Sequence, residues 1–317
     1  MLKHLMGAVA ALCLGAGTAP AQDYPTETIH IVVPYSAGGV TDYYGRLFQP
    51  EIEKALGQSV LVENKPGSGS LLGAMEVGRA TPDGHTLLLG SYGLLSNQIL
   101  LPESAFDPDS LVPVFMLGRG VNILLLRKDF PAETLDEVTA WAKDHPGELK
   151  IASSGIGASP HIAAELWADM EGIEFIHIPY KGTAPAMTDV IAGRVDAIFD
   201  GISGMAQVES GNAKVVAVAG EERHPEAADI PTFKELGKDF VFGSYFGFFV
   251  PAGTPQDVQD KLYATIAEIA ARPEIDEALK ARGLNTRVLT QQEFKDFMGT
   301  ELADLQKLAA EGKLGAK

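Results

Sequence analysis

This chain of 317 residues is almost without cysteine. Its one cysteine, Cys13, lies in an apolar N-terminal stretch that we predict to be removed. Without that stretch the chain has no thiol, which excludes disulfides, thiolate nucleophiles and cysteine-based metal sites. Any binding or catalytic chemistry must therefore come from other side chains or from the backbone.

Positive charge is also scarce. Twenty-five Lys and Arg stand against 42 Asp and Glu, which gives a formal net charge of −17. The sequence has no basic cluster to offset this field, so we expect neither nucleic acid nor anionic lipid as a partner. An anion can still bind such a protein where local backbone amides overcome the overall field.

Residues 1–21 have the three parts of a secretory signal. Lys3 precedes an apolar core over residues 5–17, and Ala19-Pro20-Ala21 fits the small-x-small cleavage rule. The apolar core is too short for a permanent transmembrane helix, and no later uncharged segment is long enough. We predict export to the periplasm, cleavage of this signal peptide after Ala21, and a mature charge of 24 − 42 = −18.

Motifs of the common enzyme classes are missing as well. The sequence contains no G-x-S-x-G, no P-loop and no H-E-x-x-H, and its histidines show no metal-ligand spacing. We therefore expect no enzyme activity, no cofactor and no metal. One enzymatic alternative stays open, a periplasmic serine hydrolase in which Ser159 is the nucleophile and His161 is the base.

Short apolar runs alternate with helical patterns along most of the chain. This alternation predicts an α/β fold with largely parallel sheets flanked by helices. In such sheets ligands bind beyond the carboxyl ends of the strands. Ser91, Tyr180 and Asp200 each stand at or just beyond the end of a predicted strand.

A glycine-rich turn over residues 34–42 joins a predicted strand, residues 29–33, to a helix expected to begin near Asp42. The first turn of a helix has N–H groups without intrahelical partners, and the helix dipole favours an anion there. Gly38 and Gly39 permit positive φ, so that successive amides can form a concave nest. Asp42 either contacts a ligand or holds the loop in shape.

A second turn of the same kind covers residues 153–161, after a predicted strand at residues 149–152. It again leads from a strand through glycines into a helix, so it predicts a second set of free amides. His161 near the helix start either donates to a carboxylate or packs beneath the loop. Neither loop contains an arginine, so a bidentate guanidinium clamp from these motifs is excluded.

Several blocks of sequence add a more specific pattern. Quoted from this chain, they include IVVPYSAGG at 31–39, VENKPG at 62–67, PDGHTLL at 82–88, PYKG at 179–182 and FVPAGTP at 249–255. In register over the whole chain after residue 21, they resemble the Bug family, the TctC-type periplasmic receptors of tripartite tricarboxylate transporters. The resemblance implies a two-lobed periplasmic binding protein of type II, a "Venus flytrap", each lobe a mainly parallel sheet flanked by helices.

The resemblance also implies which residues meet the ligand, because such receptors hold a carboxylate between one β-loop-helix motif of each lobe. The predicted ligand-binding residues are Tyr35, Ser36, Ala37, Gly38, Gly39, Thr41, Asp42, Ser91, Tyr92, Ser154, Gly157, Ala158, Ser159, His161, Tyr180, Asp200 and Tyr245. We expect lobe 1 to comprise residues 22–124 and 249–317, and lobe 2 residues 125–248.

These features predict a monomeric receptor for a small organic carboxylate. Tyr35, Tyr92 and Tyr245 would make the pocket aromatic, which favours a dicarboxylate, and possible ligands include aromatic ones. The resemblance implies delivery to the large and small membrane subunits of a tripartite tricarboxylate transporter. Presentation of the ligand to a sensor kinase is an alternative, since both roles need the same closing pair of lobes.

Overall fold

The computed structural model describes residues 24–314, so the predicted signal peptide lies outside the described residues. The strands in this part of the chain are β1 (Ile29–Val33), β2 (Val60–Asn64), β3 (Thr86–Ser91), β4 (Leu111–Arg127), β5 (Leu149–Ser153), β6 (Phe175–Pro179), β7 (Ala197–Gly201), β8 (Ala213–Val218), β9 (Gly243–Pro251) and β10 (Leu284–Thr286). The helices are α1 (Val40–Leu56), α2 (Leu71–Gly78), α3 (Gly93–Leu100), α4 (Leu135–Asp144), α5 (Ser159–Glu171), α6 (Thr183–Ile191), α7 (Met205–Glu209), α8 (Gln256–Ala270), α9 (Pro273–Lys280) and α10 (Gln291–Ala310).

The strands form two sheets, one in each lobe. In the first lobe the order is β2-β1-β3-β9-β4, and β10 also pairs with β4. In the second lobe the order is β4-β7-β5-β6, with β8 on β4 as well. The predicted two-lobed α/β fold is confirmed.

Among pairs of the named strands, parallel pairing occurs in the part of each sheet that carries the glycine loops. β1 pairs in parallel with β2 and β3, and β5 pairs in parallel with β6 and β7. The pairs that involve β4 or β9 are antiparallel. The two sheets are therefore mixed, because the strands that cross between the lobes run against the βαβ units.

β4 is the strand that both sheets share. Its first part pairs with β9, up to the pair Val121–Gly243, and its second part pairs with β7 from Asn122 onward. The apolar runs at 112–117 and 121–126, which look like two strands in the sequence, are thus one continuous strand. Irregular pairing around Val114 and Leu117 lets this long strand bend without ending.

The lobe boundaries predicted at residues 124 and 249 fall inside the crossing strands. Leu124 already pairs with Phe199 of the second lobe, and Phe249 pairs with Leu88 of the first. We propose boundaries near residues 121 and 243, because the pairing partners change there. We propose that these two crossings, which lie close together, form a hinge about which the lobes open.

Local sequence explains where the main helices begin and end. α1 ends at Gly57, whose φ of 70° is left-handed and whose N–H reaches the Glu53 carbonyl oxygen. α10 begins with a capping box, in which Thr290 accepts from the Glu293 N–H and Glu293 accepts from the Thr290 N–H. Such caps satisfy backbone groups that would otherwise lack partners.

Each lobe has its own buried core. In the first lobe, α1 and α8 cover one face of the sheet, with Phe48 and Phe248 in edge contact at 5.6 Å between ring centroids. In the second lobe, Trp167 of α5 packs against Phe199 of β7, with 5.9 Å between ring centroids. Among residues 24–314, no helix combines the length and the apolarity needed to span a membrane.

Candidate ligand-binding site

A cavity lies between the lobes at the carboxyl ends of the parallel strands. Its non-atom space, including the part that is open to solvent, amounts to about 620 Å³. Its walls come from both lobes and from the crossing strands. The lining residues are Tyr35, Gly39, Val40, Thr41, Tyr44, Ser91, Gly120, Val121, Asn122, Ser154, Ala158, Ser159, Pro160, Thr183, Asp200, Gly201, Ser244, Phe246, Arg282 and Gly283.

The first loop brings the N-terminus of α1 to the cavity. The first backbone hydrogen bond of this helix runs from the Tyr43 N–H to the Gly39 carbonyl oxygen at 3.0 Å. The N–H groups of Gly39, Val40 and Thr41 have no partner among residues 24–314, and all three residues line the cavity. Free amides at a helix N-terminus favour an anion.

Asp42 supports this loop from behind. Its Oδ2 accepts from the Gly38 N–H at 2.9 Å, while Arg46 and Asn64 donate to the same carboxylate. Burial opposes ionisation, but the hydrogen bonds from Arg46, Gly38 and Asn64 together hold the pKa of Asp42 below its ordinary value. Gly38 has a φ of 84°, which lets its N–H turn toward Asp42. Of the two roles predicted for Asp42, this geometry matches the structural one.

The second loop brings the N-terminus of α5 to the opposite wall. Ser154, Ala158 and Ser159 line the cavity, and the Ser159 hydroxyl donates to Asn122 Oδ1 at 2.7 Å. The N–H groups of Ser154 and Ser159 have no partner among the described residues. Two helix N-termini, one from each lobe, therefore meet at the same cavity.

Tyr35 and Ser91 form the floor on the side of the first lobe. Tyr35 is buried, and its hydroxyl lies 2.9 Å from Ser91 Oγ. Burial raises the pKa of Tyr35 despite opposing hydrogen bonds, so the hydroxyl stays neutral and able to donate. Both of these predicted site residues line the cavity.

Two other predicted aromatic residues lie away from the cavity. Tyr92 and Tyr245 are buried in an apolar cluster, where Tyr245 contacts Phe294 at 6.0 Å between ring centroids. Side chains alternate along a strand, so Tyr245 of β9 points opposite to its neighbours Ser244 and Phe246, which line the cavity. The aromatic wall of the cavity keeps Tyr35 of the predicted trio, but Tyr44 and Phe246 stand where Tyr92 and Tyr245 were expected. Tyr44 and Phe246 meet edge to face at 5.0 Å between ring centroids.

The remaining predicted residues lie around the cavity without lining it; they are Ser36, Ala37, Gly38, Asp42, Gly157, His161 and Tyr180. Gly38 and Asp42 face an adjoining outer cleft. The Tyr180 hydroxyl, the polar end of this side chain, donates a hydrogen bond to the Asp189 carboxylate at 2.6 Å. Tyr180 is therefore engaged with α6 and not with the cavity.

His161 packs beneath the second loop. Its Nδ1 accepts from the Gly157 N–H at 3.1 Å, and its ring stacks on His177 with 3.9 Å between centroids. Its Nε2 faces Glu165, so neither ring nitrogen bonds to Ser159, whose hydroxyl is committed to Asn122. The nucleophile and base of the hydrolase alternative are thus not in contact in this structure.

Several cavity residues were missed in the sequence. Thr183, at the start of α6, brings a third helix N-terminus to the cavity. The position of Thr183 directly after Gly182 is a sequence feature from which its role could have been predicted. The same is true of Asn122, which is a single polar residue within an apolar run. Arg282 has no such feature, because the turn after α9 reaches the cavity only through tertiary packing.

Asp200 and Arg282 are the charged residues of the cavity lining. Asp200 is buried, and burial raises its pKa to about 7, opposed only by the hydrogen bond from the Gly201 N–H. Arg282 forms no ion pair within residues 24–314, and its guanidinium carbon lies 4.4 Å from the ring centroid of Tyr43. The cavity thus offers an unpaired cation and several free amides.

Known proteins with the same architecture are numerous. A protein from the tcbD–tcbE intergenic region of Pseudomonas sp. strain P51 is 33% identical over 92% of this chain and 88% of its own. Rpa4515 of R. palustris, solved with adipate, superposes with a TM-score of 0.87 at 28% identity, covering 91% of this chain and 98% of its own. MatC of Rhodopseudomonas palustris, solved with malate, superposes with a TM-score of 0.84 at 30% identity, covering 90% of this chain and 99% of its own.

The predicted family resemblance is tested by a family model. The model described as the tripartite tricarboxylate transporter family receptor, TctC, matches residues 45–314, which include most of the residues that line the cavity. This match confirms the resemblance drawn from the sequence blocks. The chain belongs to the TctC family of receptors, solute-binding proteins of tripartite tricarboxylate transporters.

Proposed function

We propose that this protein captures a small dicarboxylate in the periplasm, between its two lobes, and delivers it to the membrane subunits of a tripartite tricarboxylate transporter. The observation that carries the proposal is the set of unpartnered amides at Gly39, Val40 and Thr41, which faces the start of α5 across the cavity. Such a site favours an anion without a fixed cation in the loops.

The wall chemistry supports a dicarboxylate more than a tricarboxylate. One carboxylate can bind the free amides, and Arg282 can attract a second one through its unpaired charge. Tyr35, Tyr44 and Phe246 provide apolar surface for the carbon chain between the two. A third charge would find no further cation in the lining. The related structures with adipate and malate are consistent with this class of ligand.

The geometry also supports a binding role and not a catalytic one. Ser159 and His161 lack the mutual hydrogen bond that activates a serine nucleophile. We propose that the ligand is bound and released unchanged. Adipate incubated with the protein should be recovered intact, and turnover of a bound ester that Ser159→Ala abolishes would contradict this.

A charge placed in the amide nest tests the proposal. A Cβ at Gly39 would have the Ser36 carbonyl oxygen as its nearest neighbour, at 3.8 Å, so a side chain fits. Asp is a favourable residue at this N-cap position, so Gly39→Asp should fold at least as well as the wild type. Its carboxylate would occupy the anion position and repel a ligand carboxylate. Gly39→Asn is the neutral control of the same shape.

The measurement is a thermal-shift screen of dicarboxylates, monocarboxylates, sugars and amines. A ligand at 100 times its dissociation constant adds about 2.7 kcal/mol, which raises the melting temperature by a few degrees. We expect dicarboxylates to raise the melting temperature of the wild type, to raise that of Gly39→Asn less, and to leave that of Gly39→Asp unchanged. Equal stabilisation of all three proteins, or stabilisation by sugars alone, would contradict the proposal.

A further inference from the structure

Asp200 is a buried carboxyl group in a cavity otherwise suited to anions. It lies at the end of β7, is 5% exposed, and lines both the inner cavity and the outer cleft. Its Oδ1 accepts from the Gly201 N–H at 2.8 Å. Its Oδ2 has no hydrogen-bond partner among residues 24–314, so one oxygen of this carboxyl group is left for a ligand.

No cation is paired with Asp200 among residues 24–314, and the only hydrogen bond to its carboxyl group comes from the Gly201 N–H. Arg282 lines the same cavity but forms no ion pair with it, and Arg46 is bound to Asp42. On the elements packed against β7, Arg127 pairs with Asp196 and Arg194 with Asp189, while His161 lies beside Glu165. Lys150 is exposed near the start of β5, at the end of the sheet opposite to Asp200. The tyrosines that line the cavity, Tyr35 and Tyr44, are neutral at ordinary pH because burial raises their pKa values.

An ionised Asp200 would oppose the ligand that the rest of the cavity attracts. The free amides of α1 and α5 favour a carboxylate, and two carboxylates in one cavity repel each other. A shared proton removes this conflict, because a protonated carboxyl group donates a hydrogen bond to the other carboxylate. The burial of Asp200 also favours the protonated, neutral form of its carboxyl group.

We propose that Asp200 is a specificity-determining residue that binds the ligand as a neutral acid, donating a hydrogen bond from Oδ2 to a ligand carboxylate oxygen. This inference rests on the proposed carboxylate-binding function and deepens it. It makes capture proton-linked: the ligand binds tightly when Asp200 is protonated, and each binding event above neutral pH takes up a proton. It also explains how a cavity with one acid and one arginine can hold a ligand with two negative charges.

The pH dependence has a defined size. Burial raises the pKa of Asp200 to about 7, so the protonated fraction falls about tenfold between pH 6 and pH 8. The apparent dissociation constant rises in inverse proportion to the fraction of protein competent to bind. We therefore expect adipate or malate to bind about tenfold more weakly at pH 8 than at pH 6.

Calorimetric titration with adipate and malate tests this inference. Titrations at pH 6, 7 and 8, each in two buffers of different ionisation enthalpy, give both the dissociation constant and the protons taken up. In the wild type we expect uptake of about one proton per ligand at pH 8 and little at pH 6. In Asp200→Asn the amide donates at every pH, so affinity should be retained and the proton uptake should disappear.

Two further variants separate this role from a structural one. Asp200→Ala lacks a donor and should bind weakly at every pH, without proton uptake. Asp229→Asn removes an exposed acid of the same lobe and should behave as the wild type. A wild-type dissociation constant that is equal at pH 6 and pH 8, without proton uptake, would overturn the inference. Tighter binding of an ammonium-bearing acid above pH 7 would overturn it too, since Asp200 would then act ionised.

The outcomes also distinguish this inference from the proposed function. If no carboxylate binds at any pH, the proposed function fails. If dicarboxylates bind with an affinity that does not change with pH, or if Asp200→Asn keeps the proton uptake, only the role of Asp200 fails.

Discussion

Ser36 of the first lobe holds the Lys181 carbonyl oxygen of the second lobe with two hydrogen bonds. The Ser36 N–H donates to this oxygen at 2.9 Å and the Ser36 hydroxyl donates to it at 3.0 Å. A second link between the lobes runs from the buried Ser96 hydroxyl to the Gly157 carbonyl oxygen. These contacts stand on either side of the cavity loops, so they form only when the lobes are together.

Removing the Ser36 hydroxyl should favour the open arrangement of the lobes. Ser36→Ala keeps the backbone hydrogen bond and loses the side-chain one, worth about 1 kcal/mol, or about fivefold in an equilibrium constant. We expect ligand affinity to fall by this factor, because closure becomes less favourable. X-ray scattering with saturating adipate should show less compaction than in the wild type.

Ser210→Ala is the matched control for this variant. The Ser210 hydroxyl donates to the Ala206 carbonyl oxygen within one exposed turn of helix, so its loss leaves the lobes unaffected. Equal affinity and compaction in Ser36→Ala and the wild type would show that this contact does not influence closure.

Arg282 should contribute to binding through its charge. It lines the cavity and forms no ion pair within residues 24–314, so Arg282→Gln should weaken a dicarboxylate by about tenfold and a monocarboxylate less. The loss should shrink at high ionic strength, since salt screens a group this exposed. Arg287→Gln changes an exposed arginine five positions away that does not line the cavity. Similar losses in both variants would indicate a general charge effect and contradict a specific role of Arg282.

His177 should make the fold sensitive to acid. Burial, together with the neighbouring His161, lowers its pKa to about 3, so the folded protein resists a proton that the unfolded chain accepts near pH 6.5. Its stabilising contribution is present above pH 6.5 and is lost as the pH falls toward 3. Urea unfolding at pH 7 and pH 4 should show a smaller loss of stability in His177→Gln than in the wild type. His145→Gln, a change in a half-buried histidine at the C-terminal cap of α4, should keep the wild-type dependence.

Export should produce a defined N-terminus. If the signal peptide is cleaved after Ala21, the intact mass of periplasmic protein should correspond to a chain that begins at Gln22, free or cyclised. Retention of Met1, or a lipid on Cys13, would contradict this prediction. The chain that begins at Gln22 should bind adipate like any longer form, because the cavity residues begin at Tyr35.

The local features of this protein follow from its sequence alone. Apolar runs of strand length, glycines at turns, and caps at helix ends are short-range signals, so β1, the loop after it and α1 were predicted to within two residues. The blocks of family-like sequence identified the two loops that frame the cavity. Backbone amides at a helix start do not depend on side-chain identity, which is why the unpartnered amides of the first loop could be predicted from the sequence.

Tertiary structure decided which side chains meet in the cavity. Tyr245 is one residue from both Ser244 and Phe246, yet only the register of β9 determines which of them faces inward. Arg282 reaches the cavity because β10 pairs with β4, an antiparallel contact between segments more than 150 positions apart. The neutral tendency of Asp200 likewise arises from burial by several elements. A periodic pattern in the sequence depends on the neighbours of a residue along the chain. The direction of its side chain, its burial and the charges around it depend on residues that become its neighbours only when the chain folds.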